Sequence, residues 1–305
     1  MTKIAFIGLG AMGGAMAMNL QRKRPDITVY DIVPACVEPL VAAGARGADS
    51  LANAVADAGV VFTMLPATQH VEAAAAGPEG IIARMKPGGL WVEMSTIAPA
   101  GTDRLRAAAA AGGARFMDAP VGRLVSHAVA GESMFMIGCD AEADFDEARP
   151  LLEAMGTTIL RCGPAGSGIR AKIVNNFQIL TIAQVTAEAL VLGTRLGLSV
   201  DTMRAVNGQT TASNGQMQVN FPSKVLVGDT APGFTFDLAQ KDLRLALDAA
   251  TDLRLGLPVG AAASAVYGAA RSGAYAGRDF SALLDYASAL AGIEPPRLTT
   301  EEKAA

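Results

Sequence analysis

Lys3-Ile4-Ala5-Phe6-Ile7-Gly8-Leu9-Gly10-Ala11-Met12-Gly13 decides the fold. Ile4–Ile7 is an unbroken apolar run, the pattern of a strand buried on both faces. It leads straight into Gly-x-Gly-x-x-Gly, and a helical pattern follows over Met12–Gln21. The glycine spacing alone is a weak signal. Between a strand and a helix it reads as a dinucleotide-binding turn. Gly8 permits the tight turn, Gly10 lets the backbone approach a diphosphate, and Gly13 lets helix and strand pack closely. The diphosphate then sits on free N–H groups at the helix start. Gly8, Leu9, Gly10, Ala11, Met12 and Gly13 are therefore the expected cofactor turn. Asp31 closes the next apolar run. A carboxylate there accepts from ribose hydroxyls and repels a 2′-phosphate, which favours NAD over NADP.

Outward from this turn, apolar runs alternate with helical segments. Lys3–Gly8, Ile27–Ile32, Val60–Leu65, Leu90–Ser95, Arg115–Val121, Ser133–Gly138 and Thr157–Arg161 read as strands. Met12–Gln21, Ser50–Ala58, Gln69–Ala76, Pro99–Ala111 and Ala141–Met155 read as helices. The alternation predicts an α/β fold: a doubly wound, mostly parallel Rossmann-type sheet. Open parallel sheets bind ligands at the carboxyl ends of their strands, which adds Leu65, Pro66 and Thr96 to the cofactor site. The texture changes at the cluster Gly163-Pro164-Ala165-Gly166-Ser167-Gly168. One long helical pattern follows over Ile169–Leu196, then helical segments with no strand. The expected organisation is a nucleotide-binding domain over 1–165, an all-α domain over 166–293 joined through the long helix, and a loose tail over 294–305.

The chain has 305 residues, 51% hydrophobic and 18% charged. That excludes disorder and sits below the charge content of an average soluble domain. A membrane span needs about 18–20 uninterrupted apolar residues. The uncharged run Ile173–Ala187 is shorter and holds Asn175, Asn176, Gln178 and Gln184. No membrane association is expected, so the surplus apolar surface points to a homodimer or homotetramer. Net charge −4 offers no basic field for nucleic acid. Three scattered cysteines and two distant histidines, His70 and His127, suggest reduced thiols, a cytoplasmic setting and no metal site.

A nicotinamide enzyme acting on an alcohol needs a proton donor for the nascent alkoxide. A Tyr-xxx-Lys pair is absent, since Tyr267 is followed by Arg271 and Tyr286 by Leu290. Lys172 remains, with Asn175 and Asn176 on the same helix face. On spacing alone, a catalytic face and a polar stripe at a domain junction are equally good readings.

Four motifs resemble the β-hydroxyacid dehydrogenase family over about residues 3–290. They are Phe6–Gly13 continuing to Leu20, Asp118-Ala119-Pro120-Val121, Gly168–Asn176, and Phe236-Asp237-Leu238-Ala239-Gln240-Lys241-Asp242-Leu243. The resemblance implies that Lys172 is the general acid in reduction and the general base in oxidation. It implies that Asn176 and Asn175 position the substrate, and that Lys241 reaches both substrate and cofactor.

Most of the family continues Asp-Ala-Pro-Val with Ser-Gly-Gly. Here Gly122-Arg123-Leu124 follows. A Gly-Arg pair is similar to the sulfolactaldehyde reductase branch, where the guanidinium fork would read an anionic substrate group. That branch has Thr at Leu124 and Ser at Ile179, so two polar contacts are apolar here. The reading is an NAD-dependent enzyme acting on a short acidic 3-hydroxy compound or its semialdehyde. Its lead substrate is sulfolactaldehyde, reduced to 2,3-dihydroxypropane-1-sulfonate, with 3-hydroxyisobutyrate and 4-hydroxybutyrate as alternatives. An imine reductase-like enzyme and a non-catalytic NAD-binding reader both lack a lysine at this helix position, and the chain keeps Lys172.

Overall fold

The computed structural model describes residues 2–299. They form two compact units that divide between Ile173 and Val174. In the first unit the chain runs β1 (Ile4–Ile7), α1 (Ala11–Lys23), β2 (Ile27–Tyr30), α2 (Pro34–Ala42), β3 (Arg46–Gly47), α3 (Leu51–Val55), β4 (Val60–Thr63), α4 (Thr68–Ala75) and α5 (Ile81–Arg84). It continues through β5 (Leu90–Glu93), α6 (Pro99–Ala111), β6 (Arg115–Asp118), β7 (Val121–Gly122), α7 (Val125–Ala130), β8 (Ser133–Cys139), α8 (Glu142–Leu152) and β9 (Gly156–Gly163). The strands form one sheet in the order β3-β2-β1-β4-β5-β6-β8, with β7 and β9 both paired to β8. The first six strands are mutually parallel, and β8 runs antiparallel to β6.

Because side chains alternate along a strand, each buried strand feeds two cores. Ile4, Phe6, Phe62 and Val92 face one layer of helices, with Met16 and Leu20 of α1 packed on them. Ala5, Ile7, Val61 and Trp91 face the other, against Val71, Leu105 and Ala109. Phe6 stacks on Phe62 in the first layer, and Trp91 meets Phe116 edge-on in the second. The opening residues are thus β1 and α1 at the centre of the sheet.

The long helix α9 (Ser167–Arg195) begins in the first unit and continues into the second. The second unit adds α10 (Val200–Gly208), a π-helical turn (Gln216–Asn220), α11 (Phe221–Ser223), α12 (Phe236–Asp252), α13 (Pro258–Arg271) and α14 (Leu283–Leu290). Leu180, Ala183, Ala187 and Leu190 of α9 recur at helical spacing and bury against Phe221, Phe236, Leu243, Tyr267 and Leu284. Ser199 and Thr235 cap α10 and α12 by accepting from Thr202 and Leu238 N–H. α9 is long and apolar enough to cross a membrane by length and composition, but this fully buried row makes it the core helix of a protein unit. The tail expected to be loose from Glu294 is anchored in part. Arg297 donates to Asp285 at 2.6 Å, and Leu298 is buried with its N–H on Leu226 O. The remainder of that tail, 300–305, lies outside the described residues.

Candidate functional site

The glycine turn has the geometry a diphosphate needs. Gly8 has φ +91° and its N–H bonds Tyr30 O at 3.0 Å. A Cβ on Gly13 would lie 2.0 Å from Gly8 O, so helix and strand meet there without room for a side chain. A Cβ on Gly10 would meet nothing within 4 Å, which leaves an open approach to the backbone. No side chain caps α1, whose N-cap is Gly10, and its first turn holds no acid. The N–H groups of that turn are presented to an anion, so these residues fit a dinucleotide. Asp31 accepts from Leu9 N–H at 2.6 Å and from Val33 N–H at 2.8 Å. One carboxylate thus ties the turn to the end of β2, while Ile32 and Val33 beside it stand exposed.

The ends of β4, β5 and β6 are tied by buried acids. Thr63, Glu93 and Asp118 are neighbours across the ladder. Glu93 accepts from Ser95 N–H at 2.6 Å and from the Thr63 hydroxyl, which in turn accepts from Trp91 Nε1 at 2.9 Å. Ser95 Oγ accepts from Leu65 N–H at 2.8 Å. The segments that hold Leu65, Pro66 and Thr96 are therefore fixed by a network that begins at Glu93. Burial pushes Glu93 up to about 7 and Asp118 up to about 6. Asp118 accepts from Gly166 N–H at 2.5 Å and Ile169 N–H at 2.7 Å, which pins the start of α9 to the end of β6.

That anchor sets where the polar face of α9 begins. Lys172 is half-buried on it, and Asn175 and Asn176 follow one turn later. In the second unit, buried Asn176 donates from Nδ2 to Asp242 Oδ2 at 2.6 Å. Asp242 Oδ1 stands 3.1 Å from Lys241 Nζ. The amide oxygen of Asn176 accepts from Asn175 Nδ2 at 3.4 Å, so both ends of the Asn176 amide are engaged. Asp242 thus joins Asn176 to Lys241.

Arg123 is placed differently from the expected anion reader. It has φ +72°, a left-handed backbone that an arginine adopts at a cost of about 1–2 kcal/mol. Its guanidinium donates to Glu132 O at 2.6 Å and to the Thr157 and Thr158 hydroxyls at 3.1 Å each. The fork is turned to the start of β9, whereas Gly122 is buried within β7. Leu124 is half-buried and Ile179 is 36% exposed.

Sequence reasoning missed Glu93, Thr63 and Asp242 as members of the site and used Asp118 only as part of a motif. Glu93 had a signal of its own: an acid inside an otherwise apolar strand. Asp242 had one in its place beside Lys241.

Residues 3–163 match the family described as the NAD-binding domain of 6-phosphogluconate dehydrogenase. Residues 166–287 match the NAD-binding region of NADP-dependent 3-hydroxyisobutyrate dehydrogenase. A 3-sulfolactaldehyde reductase of Escherichia coli is 39% identical, covering 96% of this chain and 98% of the relative. An NAD-dependent L-serine dehydrogenase of Pseudomonas aeruginosa is 41% identical over 92% of this chain and 96% of its own. Among solved structures, a 3-hydroxyisobutyrate dehydrogenase of Mycobacterium tuberculosis with L-serine superposes with TM-score 0.85 at 34% identity, covering 94% of this chain and 99% of the other.

Proposed function

We propose that this chain, which belongs to the β-hydroxyacid dehydrogenase family and is an NAD(P)-dependent oxidoreductase, interconverts a short acidic 3-hydroxy compound and its semialdehyde using NAD. The observation that carries the reading is the tethering of α9 by Asp118, which fixes the helix turn bearing Lys172 against the sheet. The nicotinamide supplies hydride acceptance or donation when bound. The protein's own contribution is proton transfer and orientation. Lys172 gives its proton to the substrate oxygen in reduction and takes one in oxidation. Asn176, held between Asp242 and Asn175, positions the substrate, and Asn175 supports the same face. Lys241 adds a positive charge for the cofactor and the substrate. Gly122 N–H and Arg123 read the acidic group, the guanidinium exchanging its bonds to Glu132, Thr157 and Thr158 for the substrate. Asp31 supports NAD over NADP, since no cation stands among Ile32, Val33, Pro34 and Ala35 to meet a 2′-phosphate.

The lead substrate is sulfolactaldehyde, because a guanidinium suits the three oxygens of a sulfonate. A carboxylate substrate of the 3-hydroxyisobutyrate kind is the second reading. It is favoured by the engagement of Arg123 with Glu132, Thr157 and Thr158, and by the apolar Leu124 and Ile179. NADH consumption on sulfolactaldehyde, methylmalonate semialdehyde, tartronate semialdehyde and succinic semialdehyde separates them. A best kcat/KM on a carboxylate overturns the sulfonate reading. Lys172→Ala is expected to lower kcat by at least about 100-fold while NADH still binds. Near-normal turnover in that variant refutes the mechanism. The assembly fits a homodimer or homotetramer, and the setting fits the cytoplasm.

A further inference from the structure

Arg123 follows the buried Gly122 and stands exposed, with its guanidinium turned to the start of β9. Its fork is spent on three neutral acceptors: Glu132 O, the Thr157 hydroxyl and the Thr158 hydroxyl. Consecutive residues of a regular strand point to opposite faces of the sheet, away from any shared partner. β9 departs from that pattern. Ser133 of β8 pairs with Gly156 and Met134 pairs with Thr158, which leaves Thr157 as the extra residue of a bulge. The broken alternation brings two neighbouring hydroxyls to one arginine. These acceptors hold the fork without opposite charge. A bidentate anion offers both the charge and the matched geometry, so it can take the guanidinium from them.

We propose that Thr157 and Thr158 form a competing dock for Arg123 that sets the affinity for the acidic substrate: the guanidinium must leave both hydroxyls to take the anionic group. The inference rests on the reading of Arg123 as the residue that meets that group. Apparent affinity is the intrinsic affinity scaled by the fraction of molecules in the binding-competent arrangement. The dock lowers that fraction, and every acid that uses Arg123 gives up the same bonds. The exchange is complete before the hydride moves and touches no reacting atom. Its effect therefore falls on KM and leaves kcat alone.

Thr157→Val with Thr158→Val removes both hydroxyls and keeps the side-chain shape and the strand preference. At saturating NADH its KM for the best acidic semialdehyde is expected to fall about tenfold, with kcat unchanged. Titration calorimetry with methanesulfonate, which is not turned over, is expected to show the same tightening. Methanesulfonamide, its uncharged analogue, should bind both proteins alike. Thr157→Ser with Thr158→Ser returns the hydroxyls and is expected to restore the wild-type values. Arg123→Met is expected to raise KM and to make the valine substitutions silent. Thr157→Val alone, at the exposed threonine, carries the test if the double variant does not fold. An unchanged or raised KM in the valine variant overturns the dock, and so does an equal tightening of methanesulfonamide. If Arg123→Met keeps the wild-type KM and methanesulfonate affinity, the reading of Arg123 itself falls. That outcome is told apart because it appears with both threonines in place.

Discussion

Gly10 and Gly13 belong to one turn but are constrained by different things. A methyl at Gly13 would collide with the Gly8 carbonyl, whereas a methyl at Gly10 meets no protein atom. Gly13→Ala is therefore expected to destabilise the fold by about 2–4 kcal/mol, read as a lower denaturant midpoint. Gly10→Ala should unfold like the wild type and lose NADH affinity by about tenfold or more. If both variants melt normally, the packing argument for Gly13 is wrong. Glu93 sets a second expectation. Its folded value of about 7 exceeds the ordinary 4.5, so between these limits the folded chain holds a proton that the unfolded chain has lost. Its contribution to stability is therefore present below about 4.5 and is lost as pH rises toward 7. Glu93→Gln keeps the shape and removes that slope. Calorimetry at pH 8 is expected to show a melting temperature about 3 °C above wild type.

At the scale of elements, the central strands were legible because a doubly covered strand has to be an uninterrupted apolar run. β1, β2, β4, β5, β8 and β9 lie where those runs lie. The run Arg115–Val121 is instead two strands, since Ala119-Pro120 breaks the ladder between β6 and β7. α2 was not legible: Pro34 and Pro39 argue against a helix, yet Pro34 sits at its first position, where no N–H is needed. β3 has only two residues and too little pattern to read. The glycine turn, Asp31 and Lys172 could be read because local spacing defines them. The Asn176–Asp242 bond spans residues far apart in the chain, and no local pattern announces such a pair. Asp118 belongs to the same class, since it acts on a helix whose start lies well downstream. Asp118→Ala leaves Gly166 and Ile169 N–H without an acceptor. It is expected to destabilise by about 2–4 kcal/mol and to speed amide exchange in the first turn of α9. Unchanged exchange at Ile169 would remove Asp118 as the anchor.

For the whole molecule, the low charge content now has an address. Val174, Ile182, Val185, Leu192 and Leu196 are exposed along one arc of α9 and the residue beyond it, opposite the buried Leu180–Leu190 row. Such a stripe on a helix is the pattern of a further partner. Wild-type protein at micromolar concentration should scatter light as a dimer or larger. Val185→Glu with Leu192→Glu should shift it to a smaller species, and a wild-type monomer would contradict the expectation.

β9 carries a different consequence. Among the described residues it pairs only with β8 and is the outermost strand on that side of the sheet. An eight-residue strand with one ladder unpaired is a template on which another chain can add, the first step of amyloid-like growth. The sequence disarms it. The pairing with β8 is broken by two register shifts, which twist the edge out of plane. Arg161 plants a charge on it, and Thr157 and Thr158 are occupied by Arg123. The arginine held in a left-handed backbone beside the site is, from this side, a gatekeeper against polymerisation. The loss of Arg123 or Arg161 would then show itself first on storage, as fibrils or turbidity, before any change in the native fold.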